Sequence, residues 1–210
     1  MEVDNVVLNR TIRLIVVAAV ALSGVVSAQV PSAGKRDSER MQKSLTAMLA
    51  RAEAPPAKGK PAPPLRTTFT DTELNAWLAQ DGKDSVPPGL ISPQVTFTAP
   101  GKLTLRGVVD LDAVRKSRER GWLDPFAYLN GLMTISMNGT LSGTNGEGVF
   151  DVESATLGNV VVPKVLLQEL ITYYSRSPQL PAGVTLTKPF PLPAGVRDLA
   201  IQRGAATVVQ

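Results

Sequence analysis

The chain has no cysteine and no histidine. Without cysteine there are no disulfides and no thiol nucleophile, so stability has to come from a hydrophobic core. Without histidine the commonest general base and zinc ligand are missing, and so is every Ser-His or Cys-His nucleophile system. Carboxylates, lysine and tyrosine are the groups left for proton transfer or nucleophilic attack. Aromatic residues are few, at 5% of the chain, so an apolar core here is mainly aliphatic. There is no P-loop, no Gly-rich dinucleotide fingerprint and no Gly-x-Ser-x-Gly elbow. No cofactor is expected on these grounds.

Long apolar runs are also scarce. The longest, Leu14 to Val26, follows Arg10-Thr-Ile-Arg13 and precedes Ser27-Ala28. It is too short to span a hydrocarbon core of ~30 Å comfortably. A charged n-region, a short apolar region and small residues at Val26 and Ala28 describe an export signal cut after Ala28. The mature protein is then expected to begin at Gln29, in the periplasm or outside the cell. The alternative is an inner-membrane anchor formed by residues 14–28.

The formal charge of +4 is unevenly placed. Glu2, Asp4, Arg10 and Arg13 cancel. Residues 29–66 carry eight basic and three acidic side chains, so the remainder is close to neutral. A nucleic-acid-binding domain would carry its basic patch on the folded face, so nucleic acid is not an expected partner. The basic arm is read as solvated or as touching an anionic membrane surface.

Three segments follow from these patterns: a signal peptide over 1–28, a basic arm over 29–64 and a single domain over 65–210. Within the arm, Met41, Leu45, Met48 and Leu49 recur at helical spacing over residues 35–53. The stripe is narrow and predicts weak packing. Residues 54–64 are a Pro-rich linker. On this reading residues 29–64 are dispensable for folding.

In the domain, Thr70-Asp-Thr-Glu73 is a capping-box pattern that opens a short helix carrying Leu74, Trp77 and Leu78. Val95, Phe97 and Ala99 alternate with polar residues, as do Leu103, Leu105, Gly107, Val109 and Leu111. Pro100-Gly101 joins them as a hairpin with one buried face. Met133, Ile135, Met137, Gly139 and Leu141 repeat the pattern, and Asn145-Gly146 turns the chain into Phe150 and Val152. The alternation slips at Ser154, which predicts a bulge. Asp124-Pro125 predicts a helix start. Pro163 opens a helix to Tyr174 with Leu166, Leu167, Leu170, Ile171, Tyr173 and Tyr174 on a wide apolar face. Residues 184–188, 196–201 and 206–209 read as three more strands. The elements do not alternate βαβα, so the predicted class is α+β: a curved, mostly antiparallel sheet of about seven strands around one or two helices.

Polar clusters are weak. Asp110, Asp112 and Asp124 lack a glycine-bearing loop of ligand spacing, so no metal is expected. Asp151 and Glu153 face solvent, with no apolar pocket to raise a pKa. Arg115, Lys116, Arg118 and Arg120 form a basic run suited to a solvated connection or to lipid headgroups. Asn138-Gly-Thr140 matches the glycosylation sequon. The aliphatic sheet face and the helix after Pro163 are the candidate ligand wall: Leu105, Val109, Met133, Ile135, Met137, Phe150, Leu166, Leu170 and Tyr173. Its methionines make it adaptable.

The stretch Phe69-Thr-Asp-Thr-Glu-Leu-Asn-Ala-Trp-Leu78, with Val86-Pro-Pro-Gly-Leu90 and the hairpin from Val95 to Leu111, resembles the small tubular lipid-binding (TULIP-like) envelope proteins of bacteria. The Pro163–Tyr174 helix and the closing Pro-Phe-Pro-Leu-Pro193 sit where such proteins place a second helix and final strands. The resemblance covers about residues 67–210, and the chain departs from it by having no lipobox cysteine and by adding an N-terminal helix and linker. It implies binding of a lipid or other apolar ligand and carries no catalytic residues. An exported, non-enzymatic lipid-binding or lipid-shuttling protein is therefore the leading expectation. A structural or assembly protein acting through protein contacts is the alternative.

Overall fold

The computed structural model describes residues 34–54, 63–87, 89–113, 130–176, 180–186 and 188–210, side chains 170, 173 and 174 excepted. The signal segment, most of the Pro-rich linker, the basic run at 115–120 and Asp124-Pro125 lie outside the described residues. Helix α1 spans Lys35–Glu53 and α2 spans Asp71–Ala79, with β1 (Arg66–Thr70) between them. Strands β2 (Leu90–Ala99), β3 (Lys102–Asp110), β4 (Leu132–Thr144), β5 (Glu147–Leu157) and β6 (Val160–Val161) follow. Then come α3 (Lys164–Ser175), β7 (Phe190–Pro191), β8 (Asp198–Gln202) and β9 (Ala205–Val209). The class is α+β with one open, curved, antiparallel sheet, of nine strands among the described residues rather than about seven.

The path through the sheet is β1-β9-β8-β4-β3-β2, with β5 on the other edge of β4 and β6 and β7 paired to β5. Gly143 of β4 faces both Gly148 of β5 and Leu199 of β8. Strand β8 therefore continues along the edge of β4 that β3 leaves at Thr140. This joins a β2–β5 lobe to a β1-β9-β8 lobe.

Local signals explain most elements. The Thr70 hydroxyl accepts from the Glu73 amide while the Glu73 carboxylate accepts from the Thr70 amide, completing the capping box. Asn145 and Gly146 take φ of 56° and 84°, the left-handed pair that a two-residue hairpin needs. The bulge in β5 falls beside Ser154: Asn138 pairs with Ser154 and Gly139 with Val152, leaving Glu153 as the extra residue.

The described residues of the expected strand at 184–188 (184–186 and 188) are not a strand. Side chains of α3 take the place of a neighbouring strand there. Ser175 Oγ accepts from the Val184 amide, and Gln168 Oε1 accepts from the Leu186 amide. Gln168 Nε2 and Thr172 Oγ1 both donate to the Val184 carbonyl. With the Val184 amide and carbonyl and the Leu186 amide satisfied in this way, these groups have no need of a ladder.

Helix α1 departs most from expectation. The sequence placed it in an arm outside the compact fold, yet Met41, Leu45, Met48 and Leu49 are buried and belong to the main core. Polar contacts fix it as well. Ser38 Oγ donates to Asp81, Trp77 Nε1 donates to Gln42 Oε1 at 2.6 Å, and Gln210 Nε2 donates to the Met48 carbonyl at 2.8 Å. Arg40 pairs with Asp37 and with Glu73 of α2; the hydrogen bond it donates to the Asp37 carboxylate, above all, raises the arginine pKa. A narrow stripe is enough here because the helix lies over the apolar side of α2 and the sheet rather than on a flat surface.

Candidate functional site

The inward residues of two separate sheet lobes meet beneath α1 and α2. Val95 and Phe97 of β2, Leu103 of β3, Ile201 of β8, and Ala206 and Val208 of β9 alternate inward. Phe69 of β1 adds a ring 6.4 Å from that of Phe97. Met41, Leu45 and Met48 of α1 and Leu74, Trp77 and Leu78 of α2 form the opposite wall. Between these walls lies a cavity of about 80 Å³, lined by apolar side chains and closed on a further side by Leu141, Leu192, Pro193, Val196 and Leu199. No donor or acceptor side chain converges on it, so it suits an apolar group and offers nothing for acid-base chemistry.

Its helical wall is held in place by one side chain in particular. Asn75 of α2 donates Nδ2 to the Val95 carbonyl at 2.8 Å and accepts at Oδ1 from the Val95 amide at 2.7 Å. It acts as a one-residue neighbouring strand for β2, which ends the sheet path. Asp71 accepts from the Phe97 amide, and the Gly204 amide donates to the Phe97 carbonyl. The edge of β2 is thus sealed by α2 and by the β8–β9 turn.

Seven of the nine residues expected to line a ligand site have described side chains, and these lie away from the cavity. Leu105, Ile135, Met137 and Phe150 are at most 1% exposed and pack in the main core. Val109 and Met133 pack partly buried against that core, and Leu166 is half-buried on α3. The side chains of Leu170 and Tyr173 lie outside the described residues. None of the expected residues whose side chains are described lines the cavity under α1. The apolar stripe of α1 was visible in the sequence, but its position over β2, β8 and β9 depends on contacts far apart along the chain.

The weak polar clusters have structural employment. Asp110 Oδ1 accepts from the amides of Asp112 and Ala113, and Asp112 Oδ2 accepts from the Gly131 amide. These carboxylates cap a turn. Glu153 pairs with Lys102 at 2.8 Å and Asp151 with Lys164 at 3.8 Å, so the two acids engage separate lysines. Among the described residues no group of three acidic side chains is arranged to hold a metal. No helix among them is long and apolar enough to cross a membrane.

No protein-family model, curated protein or solved structure matches the chain.

Proposed function

We propose that the protein is a non-catalytic, exported carrier of the cell envelope, TULIP-like in character, that binds a lipid or similar apolar ligand under α1. The supporting observation is the apolar cavity between the α1–α2 wall and the curved sheet. An apolar cavity of about 150 Å³ suffices to hold benzene. At about 80 Å³ the cavity accepts the end of a chain, and α1 must shift to admit more. Met41 and Met48 suit such a wall, because unbranched thioether side chains repack at little cost.

The test is titration with the fluorescent fatty acid cis-parinaric acid, using the parent and Ala206→Leu. Ala206 is buried on the cavity wall, so the larger side chain fills the space. The carrier reading predicts saturable binding by the parent and its loss in the variant, with the melting temperature held or raised. A parent that takes up no probe would remove the reading.

Assembly through protein contacts has one observation in its favour. Leu132, Val160, Val161 and Val165 are 66–72% exposed. Strand β6 presents two of these valines beside the end of β5. Self-association that is abolished by Val161→Lys, measured by analytical ultracentrifugation, would support this second reading.

A further inference from the structure

A second space opens on the outside of the same wall. Between the end of α2 and the start of β2 lies a groove of about 390 Å³, open to solvent. Leu78, Val86, Leu90 and Pro93 supply most of its apolar surface, and Asn75, Lys83, Ser92 and Gln94 its polar part. The groove exists because β2 bulges between Ile91 and Gln94, where Ser92 takes a φ of 47° and the strand bends. Leu78 lines both the groove and the cavity, so its side chain lies between them. Among the described residues Lys83 is the one charged side chain lining the groove, and it is exposed.

We infer that this groove is the mouth of the ligand site, with Leu78 as its gate, and that the ligand is a single-chain amphiphile with an anionic head. The inference rests on the carrier reading and adds to it a route and a ligand class. The cavity alone is too small for a long chain, and the groove supplies the missing length. The chain end passes Leu78 into the cavity and the remainder lies along Val86, Leu90 and Pro93. The head stays at the solvent edge beside the Lys83 ammonium, where a carboxylate keeps its hydration and gains an opposite charge. Asn75 keeps α2 and β2 together at Val95, so opening requires movement of the Leu78 side chain rather than separation of helix and strand.

The test compares cis-parinaric acid with its methyl ester on the intact protein and on the surface variants Gln94→Trp and Lys83→Glu. Both side chains are exposed, so melting temperatures should stay at the parent value. In Gln94→Trp the indole covers the groove, and uptake of both probes should fall at least tenfold in affinity or rate. In Lys83→Glu the acid should bind about fivefold more weakly while the ester is unaffected. Parent uptake that is unchanged in Gln94→Trp but lost in Leu192→Trp places the mouth on the other side and overturns the inference, leaving the carrier reading intact. Equal affinity of the parent for acid and ester overturns the anionic head. A parent that binds neither probe overturns both the inference and the carrier reading.

Discussion

Asn75 and Met137 show how differently two well-placed side chains hold this fold. Asn75 satisfies both backbone groups of Val95 at the sheet edge. In Asn75→Ala those groups lose their partners, each loss costing about 1–3 kcal/mol where water cannot reach them. Chemical denaturation should therefore show a midpoint shift with an unchanged slope. Asn75→Asp keeps the acceptor and loses the donor, so its loss should be smaller in respect of the amide. Met137 is 0% exposed in the middle of β4, away from the cavity. Met137→Trp has no space to enter and should cost about 1–3 kcal/mol or more by overpacking. Ala206→Leu adds volume where there is space and should not. Comparing the melting temperatures of these two variants tests whether the free volume lies under α1 or along β4. Gly82 shows a similar constraint: a Cβ there would stand 2.4 Å from the Trp77 ring. The ring occupies the space a Cβ would need, and Gly82→Ala should displace it and weaken the bond from Trp77 to Gln42 of α1.

Helix α1 decides what counts as the folded unit. Four of its side chains are in the core, and burying each is worth about 1.5–3 kcal/mol. Their sum is comparable with the whole stability of a typical domain, about 5–15 kcal/mol. A chain starting at Leu65 should accordingly lose its cooperative melting transition or melt far below the parent and bind a hydrophobic dye. Melting within a few degrees of the parent would show that α1 is an accessory. The helix itself was legible from the spacing of Met41, Leu45, Met48 and Leu49, as were the capping box at Thr70, both hairpins and the bulge in β5. These signals are local and act within a few residues. The docking of α1 was not legible, because a stripe says that a helix is covered and does not say by what. The extended residues at 184–186 were read as a strand for a related reason. Their composition is strand-like, but Ser175, Gln168 and Thr172 satisfy them from a helix. Strand β1 went unrecognised because Arg66-Thr-Thr-Phe-Thr70 runs directly into the capping box and has one buried side chain. The cavity was the least legible feature, because residues from Met41 to Val208 build it.

Over the whole molecule, the basic side chains Lys35, Arg36 and Lys43 lie exposed on α1, the helix that roofs the cavity. A carrier that unloads at an anionic membrane would bring this face to the surface, and each basic residue near such a surface is worth about 1 kcal/mol. Co-sedimentation with vesicles containing phosphatidylglycerol should be measurable at low salt and fall as salt rises. Replacing Lys35, Arg36 and Lys43 with Glu should abolish it, while vesicles of phosphatidylcholine alone should not bind the parent. Salt-independent binding would point to an apolar surface instead. The most direct test of the account is native mass spectrometry of the protein purified from the cell envelope without detergent. The account predicts a population carrying one added amphiphile, released by organic solvent and absent from Ala206→Leu. A single bare mass, from a protein that also takes up no added fatty acid, would contradict it.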